Sequence, residues 1–210
     1  MVAMSLVVLI FALVPVVSPV SQHNQLKSTI EDLDRAVRFA SNESILKNKI
    51  VRIKFDLSAE PQEYTIEFGK KATLVLPEAK DTEKLSIKER EQEEKAQSTF
   101  DSQFSTVDEL YDKPKQVPDF VRIFGVASDY SVDNKMIEDG SVSIYFYPTG
   151  EKDNAIVILT TEEQVASISI PPFQEFTDKE YYNLEESELE NLDDSLDNRA
   201  REMVSEWYRN

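Results

Sequence analysis

The chain has no cysteine, a single histidine, four glycines and a shortage of cations. Without cysteine there is no disulfide, no thiolate metal site and no cysteine nucleophile. His23 alone cannot supply a site that needs two imidazoles, and most histidine-based acid–base chemistry goes with it. The glycines stand at 69, 125, 140 and 150, too scattered for a phosphate-cradling loop. Over 210 residues, 23 Lys+Arg face 40 Asp+Glu, a formal net charge of −17. Such a chain offers no basic face to displace counterions from nucleic acid, or to adsorb to anionic lipid. What it does have is 40% hydrophobic and 30% charged residues, enough for one domain or two small ones with ordinary cores. A scaffold, a binding module or a carboxylate enzyme remains.

Residues 1–20 carry no charge, and twelve of them are Val, Leu, Ile or Phe. As a helix they would reach about 30 Å, the thickness of a bilayer core. Summed insertion energies favour the membrane by roughly 4 to 7 kcal/mol before the prolines subtract something. The anchoring residues are Val7, Val8, Leu9, Ile10, Phe11, Leu13 and Pro15, the last bending the helix without ending it. No Lys or Arg precedes the run and VSPVSQ lacks a small-x-small site, which favours an uncleaved anchor. The competing readings are a cleaved secretory signal and a buried core helix.

The apolar pattern then continues at helical spacing through Leu26, Ile30, Leu33, Val37 and Ala40. Asn48, between Lys47 and Lys49, predicts the stop. After it the period falls to two. Val51, Ile53, Phe55 and Leu57 alternate with Arg52, Lys54 and Asp56, and Tyr64, Ile66 and Phe68 make a hairpin partner. Further strands are predicted at Ala72–Leu76, Phe120–Val126, Val142–Tyr147, Ala155–Thr160 and Val165–Ile170. Between them KLSIKEREQEEKAQS is nearly all charge and amide, which predicts a solvated helix or a disordered insertion with no core face. Beyond Pro172, Leu189, Leu192, Leu196, Ala200, Met203 and Trp207 mark a second amphipathic helix, expected to dock on the sheet; a partner-binding helix anchored by Trp207 is the other reading.

The expected fold class is α+β: a long N-terminal helix packed on an antiparallel β-sheet domain, with a charged insertion and a C-terminal amphipathic helix. Its parts are a membrane half (1–20), an amphipathic half (21–48), a β domain (50–77 and 119–173), the insertion (78–118) and an acidic helical extension (174–210).

An apolar helix that turns amphipathic and then meets a sheet resembles the type IV pilin-like proteins. The wording is closer still. Asp32–Leu57, with Ala36, Arg38, Ala40, Glu43, Ile45, Asn48, Val51, Ile53, Phe55 and Asp56, is similar to the helix end and first strand of the GspH/FimT family of minor pseudopilins. The strand and turn Val142–Gly150 is similar to that family's later strand. Met1-Val2-Ala3-Met4 looks like the inside of a pilin apolar run, so the leader, its processing site and the N-terminal glutamate of a prepilin are expected upstream. The resemblance implies a non-enzymatic filament subunit of the type II secretion system, single-pass in the inner membrane with its C-terminal domain in the periplasm. Its partners would be other pseudopilins and the inner-membrane secretion platform, with no cofactor, small-molecule substrate or nucleic acid. The stripe Leu26, Ile30, Leu33 and Val37 would serve assembly, or dock the chain's own sheet. DNA-binding relatives would use a basic C-terminal region, and here it is acidic. A type IV pilus subunit and a tethered periplasmic binding domain are the alternatives.

No carboxylate pair has a recognisable catalytic context. The loop holding Asp129, Asp133 and Asp139 is rich in hard oxygen ligands and is a weak calcium candidate, though it lacks the EF-hand order.

Overall fold

A computed structural model describes residues 19–70, 86–106, 113–185, 188 and 191–209. The anchor residues Val7, Val8, Leu9, Ile10, Phe11, Leu13 and Pro15, the strand expected at Ala72–Leu76, and Leu189 lie outside the described residues. Among the described residues no helix is long and apolar enough to cross a membrane.

The first element among the described residues is helix α1, Pro19–Lys47. Its stripe, Leu26, Ile30, Leu33, Ala36, Val37 and Ala40, is at most 2% exposed. Asn48 ends it at φ 49°, where the Lys49 amide donates to the Ser44 carbonyl (3.1 Å) and the Asn48 amide to that of Ile45 (3.3 Å). An asparagine tolerates the left-handed backbone that satisfies these last carbonyls, so the helix stops where its sequence predicts.

The chain then builds two antiparallel sheets. In the first, β1 (Val51–Asp56) pairs with β2 (Glu63–Gly69) in the register Ile53↔Ile66, and β6 (Ser141–Phe146) lies on its other side. Two short strands, β3 (Phe104–Thr106) and β4 (Lys115–Gln116), share the far edge of β2. The second sheet runs β5 (Arg122–Ser128), β7 (Ala155–Thr160), β8 (Gln164–Ile170) and β9 (Asp178–Asn183), in the order β5-β7-β8-β9.

Helix α1 covers both sheets. Its stripe shares one core with Ile53 and Phe55 of β1, Ile144 and Phe146 of β6, Val157 and Leu159 of β7, and Ile168 of β8. The opposite face of the second sheet is covered by α3, Leu192–Trp207, through Ala200, Met203 and Val204 against Ile156, Ile158 and Val165. With a helix on each side, all six residues of β7 are buried. That is why AIVILT reads as a continuous apolar run and not as an alternation.

Two sequence expectations need correcting. The 174–210 extension is not helical throughout, since residues 178–183 form the edge strand β9 before α3 begins. Nor is the insertion 78–118 wholly outside the core. Its helix α2, Ile87–Asp101, is solvated where described up to residue 99, and its start is closed by the Ser86 amide donating to the Glu89 carboxylate (2.8 Å). Its end buries Phe100, and Phe104 follows at 8% exposure; both stack with Tyr145. Two phenylalanines spaced four apart were hidden behind a long charged run.

Gly125 sits at a bulge in β5. A Cβ there would lie 2.5 Å from Met136 Cγ and 2.9 Å from the Ile137 carbonyl oxygen, so only glycine lets residues 136–137 close against the strand.

Candidate functional site

Three buried polar groups, one each on α1, on β1 and in the connection between β6 and β7, tie separate parts of the chain together. The first is Asp34, 4% exposed, beside the apolar stripe. It accepts from Thr177 Oγ1 (2.7 Å), Lys179 Nζ (2.9 Å) and Arg38. Burial alone would raise its pKa, but the hydrogen bonds from Lys179, Thr177 and Arg38 outweigh it and hold the carboxyl at about 2. Strand β9 is therefore fastened to the helix by a charge network.

The second is Arg52, 1% exposed on β1. Its Nε donates to Glu67 Oε2 (2.7 Å) and its Nη1 to Asp101 Oδ1 (2.6 Å), while the guanidinium lies 4.0 Å from the Phe104 ring centre. Burial opposes the charge, yet the hydrogen bond that Arg52 donates to Asp101 and the charge of Glu67 raise the pKa above its ordinary value. The β alternation places Arg52 on the solvent side; the end of α2 covers that side and turns it into interior.

The third is Asp153, 4% exposed, in the connection between β6 and β7. Its carboxylate accepts from the Tyr145 amide (2.8 Å) and the Tyr147 hydroxyl (3.1 Å), and its own amide donates to the Tyr145 carbonyl (2.9 Å). It thus closes the outer edge of β6. Burial, helped by the charges of Asp129 and Glu151, raises its pKa to about 6 against the two hydrogen bonds. The same burial and the Asp153 charge push the Tyr147 hydroxyl far above its usual range.

These shifts have opposite signs for stability. Asp153 binds its proton more tightly folded than unfolded, so its contribution is complete below pH 4 and is lost as pH rises through about 6. Asp34 contributes above pH 4 and loses that contribution as pH falls toward 2. Asp153→Asn is expected to melt increasingly above the wild type as pH rises from 4 to 7. The gain is on the order of 2–3 kcal/mol, from a shift of about two units. Thermal melts of both proteins across that range check it, and a constant difference would show that the carboxyl does not titrate there.

The sequence-level site residues divide clearly. Leu26, Ile30, Leu33 and Val37 are brought together, but inside the chain's own core. Asp129, Asp133 and Asp139 do not assemble into a calcium site. Asp129 takes both its contacts from the Asn154 amide (3.1 Å), and Asp139 binds Ser58 Oγ (2.8 Å) across the molecule. Among the described residues no three Asp, Glu, His or Cys side chains could hold a metal ion. The loop bends through Asp133 and Asn134 at positive φ. His23 is exposed, 3.1 Å from Gln164 Oε1. An open cleft of about 620 Å³ lies between Met136, Glu138, Arg201, Val204 and Tyr208.

Sequence reasoning missed Asp34, Arg52 and Asp153. Arg52 had a legible partner, since the hairpin register sets it opposite Glu67; Asp101, 49 residues away, had no local signal.

No family model matches the chain, and no curated protein matches it. Two solved structures match, both of the minor pseudopilin EpsH from the type II secretion system of Vibrio cholerae. One has 6% identity and a TM-score of 0.42, over 75% of this chain and 95% of that one. The other has 7% identity and a TM-score of 0.39, over 72% and 96%.

Proposed function

We propose that the chain is a pilin-like filament subunit, a minor pseudopilin of a type II secretion system, working mechanically and not as an enzyme. One observation carries the reading. Helix α1 runs unbroken from Pro19 to Lys47, with its stripe sunk between two sheets. A simple tether needs no apolar stripe sunk into the domain that it carries. The GspH/FimT-like wording of Asp32–Leu57 covers the passage from that helix into β1.

In this reading residues 1–20 hold the subunit in the inner membrane with its head in the periplasm. Assembly exchanges lipid contacts for the helices of neighbouring pseudopilins. Such an exchange gains little from hydrophobicity, so extraction needs the secretion platform to drive it. Because Leu26, Ile30, Leu33 and Val37 are occupied by the head, subunit contacts fall to the apolar segment and the outer surface of the head.

The full chain is expected to fractionate with inner membranes, resist an alkaline wash and co-purify in mild detergent with other pilin-like subunits. Deleting residues 1–20 is expected to abolish all three. A full chain recovered free in the periplasm would defeat the proposal.

A further inference from the structure

The sheet edges are not treated alike. In β5, Val126 exchanges two backbone hydrogen bonds with Ile137 (2.9 and 2.8 Å). In β6, Asp153 covers Tyr145, and the Tyr147 amide donates to the Glu151 carbonyl (2.8 Å). Strands β3 and β4 are only three and two residues long. Among the described residues, β9 is the one edge of full strand length whose outer backbone has no partner.

An open edge is a template for another strand unless something guards it. On β9, residues 178–183 contain no proline, and the ladder with β8 runs from Gln164↔Asn183 to Ser169↔Asp178 without a register shift. The two faces are chemically distinct. Tyr182 points to the α3 side, where the Arg199 guanidinium lies 4.0 Å from its ring centre, so Asp178 and Glu180 share that side and are exposed. Lys179 points to α1 and is neutralised by Asp34, with the 43%-exposed Tyr181 next to it on the same face. Glu175 and Glu185, exposed on either flank, add negative charge, and no free cation balances them within 175–185.

That charge pattern selects the occupant. A second copy of β9 would set Asp178 and Glu180 against the same residues, and like charges directly opposite are destabilising. An extended segment alternating Lys or Arg with apolar residues would pair its cations with Asp178 and Glu180, and lay its apolar side chains beside Tyr181.

We propose that the outer edge of β9 is a docking site for a basic, alternating β-strand of another protein, which it takes up as a fifth strand of the second sheet. The proposal does not rest on the anchoring of residues 1–20, and its failure would leave the filament reading standing.

The test uses the full chain in non-ionic detergent micelles and a labelled, end-blocked eight-residue peptide alternating lysine and valine. Fluorescence anisotropy is expected to show saturable binding, and hydrogen exchange to show new protection at β9 amides. Three controls are each expected to weaken binding at least tenfold: glutamate for lysine in the peptide, N-methylation of its alternate amides, and the double variant Asp178→Lys, Glu180→Lys. The N-methylated peptide keeps its charge and loses its donors, so it separates strand addition from simple ionic attraction. No saturable binding, equal binding of the N-methylated peptide, or protection confined to other elements would overturn the proposal.

Discussion

Arg52→Ala is expected to lower unfolding free energy by about 3–5 kcal/mol, the cost typical of removing one partner from a buried ion cluster. For a chain of this size that is a fall of roughly 10 °C in melting temperature. Two effects add. Glu67 and Asp101 lose the cation between them, and Phe104 loses the guanidinium lying on its ring. Lysine in its place is expected to recover only part of the loss, since one ammonium cannot reach both carboxylates with the geometry of a planar fork. The damage should be local at first. Limited proteolysis is expected to cut between residues 84 and 106 in the alanine variant sooner than in the wild type, because Phe100 and Asp101 are what hold α2 to the sheet. An unchanged melting point would mean that the cluster is dispensable and the end of α2 is held by its aromatic contacts alone.

Leu33→Ala should be of similar size, about 3–5 kcal/mol, for a different reason. Leu33 is 1% exposed in the core that joins α1 to both sheets. Truncation removes transfer energy and leaves a cavity, and the cavity term is largest where the surroundings cannot collapse. Here the walls come from a helix and two sheets, each held elsewhere. Glu31→Ala, on the exposed face of the same helix, is expected to stay within about 0.5 kcal/mol. Urea unfolding of the two variants with an unchanged slope would give the comparison directly. Equal losses would mean that the stripe is not the core it resembles.

How much of this could be read from residues alone depended on how local the signal was. The helix and its end were legible because Leu26 to Ala40 keep a strict period and Asn48 tolerates positive φ. The β1–β2 hairpin was legible from its alternation. Strand β9 was not, because DKEYYN lies at an edge with little burial on either face, and a strand without a buried face leaves no period to detect. The division into two sheets was also invisible, since it depends on which strands pair and not on what each strand is. The period of its own strand set Arg52 on the polar side, and Asp34 lies off the apolar stripe of its helix. The chains that cover them arrive from Asp101 and from Thr177–Lys179, far along the sequence.

Helix α1 touches β1 and β6 in one sheet and β8 in the other, and β1 follows it after a three-residue corner. A tug along its axis therefore reaches both sheets at once and must slide six side chains out of their sockets together, instead of peeling strands off one after another. Such a lengthwise load path yields late and all at once. A head built this way can be hauled by its stem without coming apart.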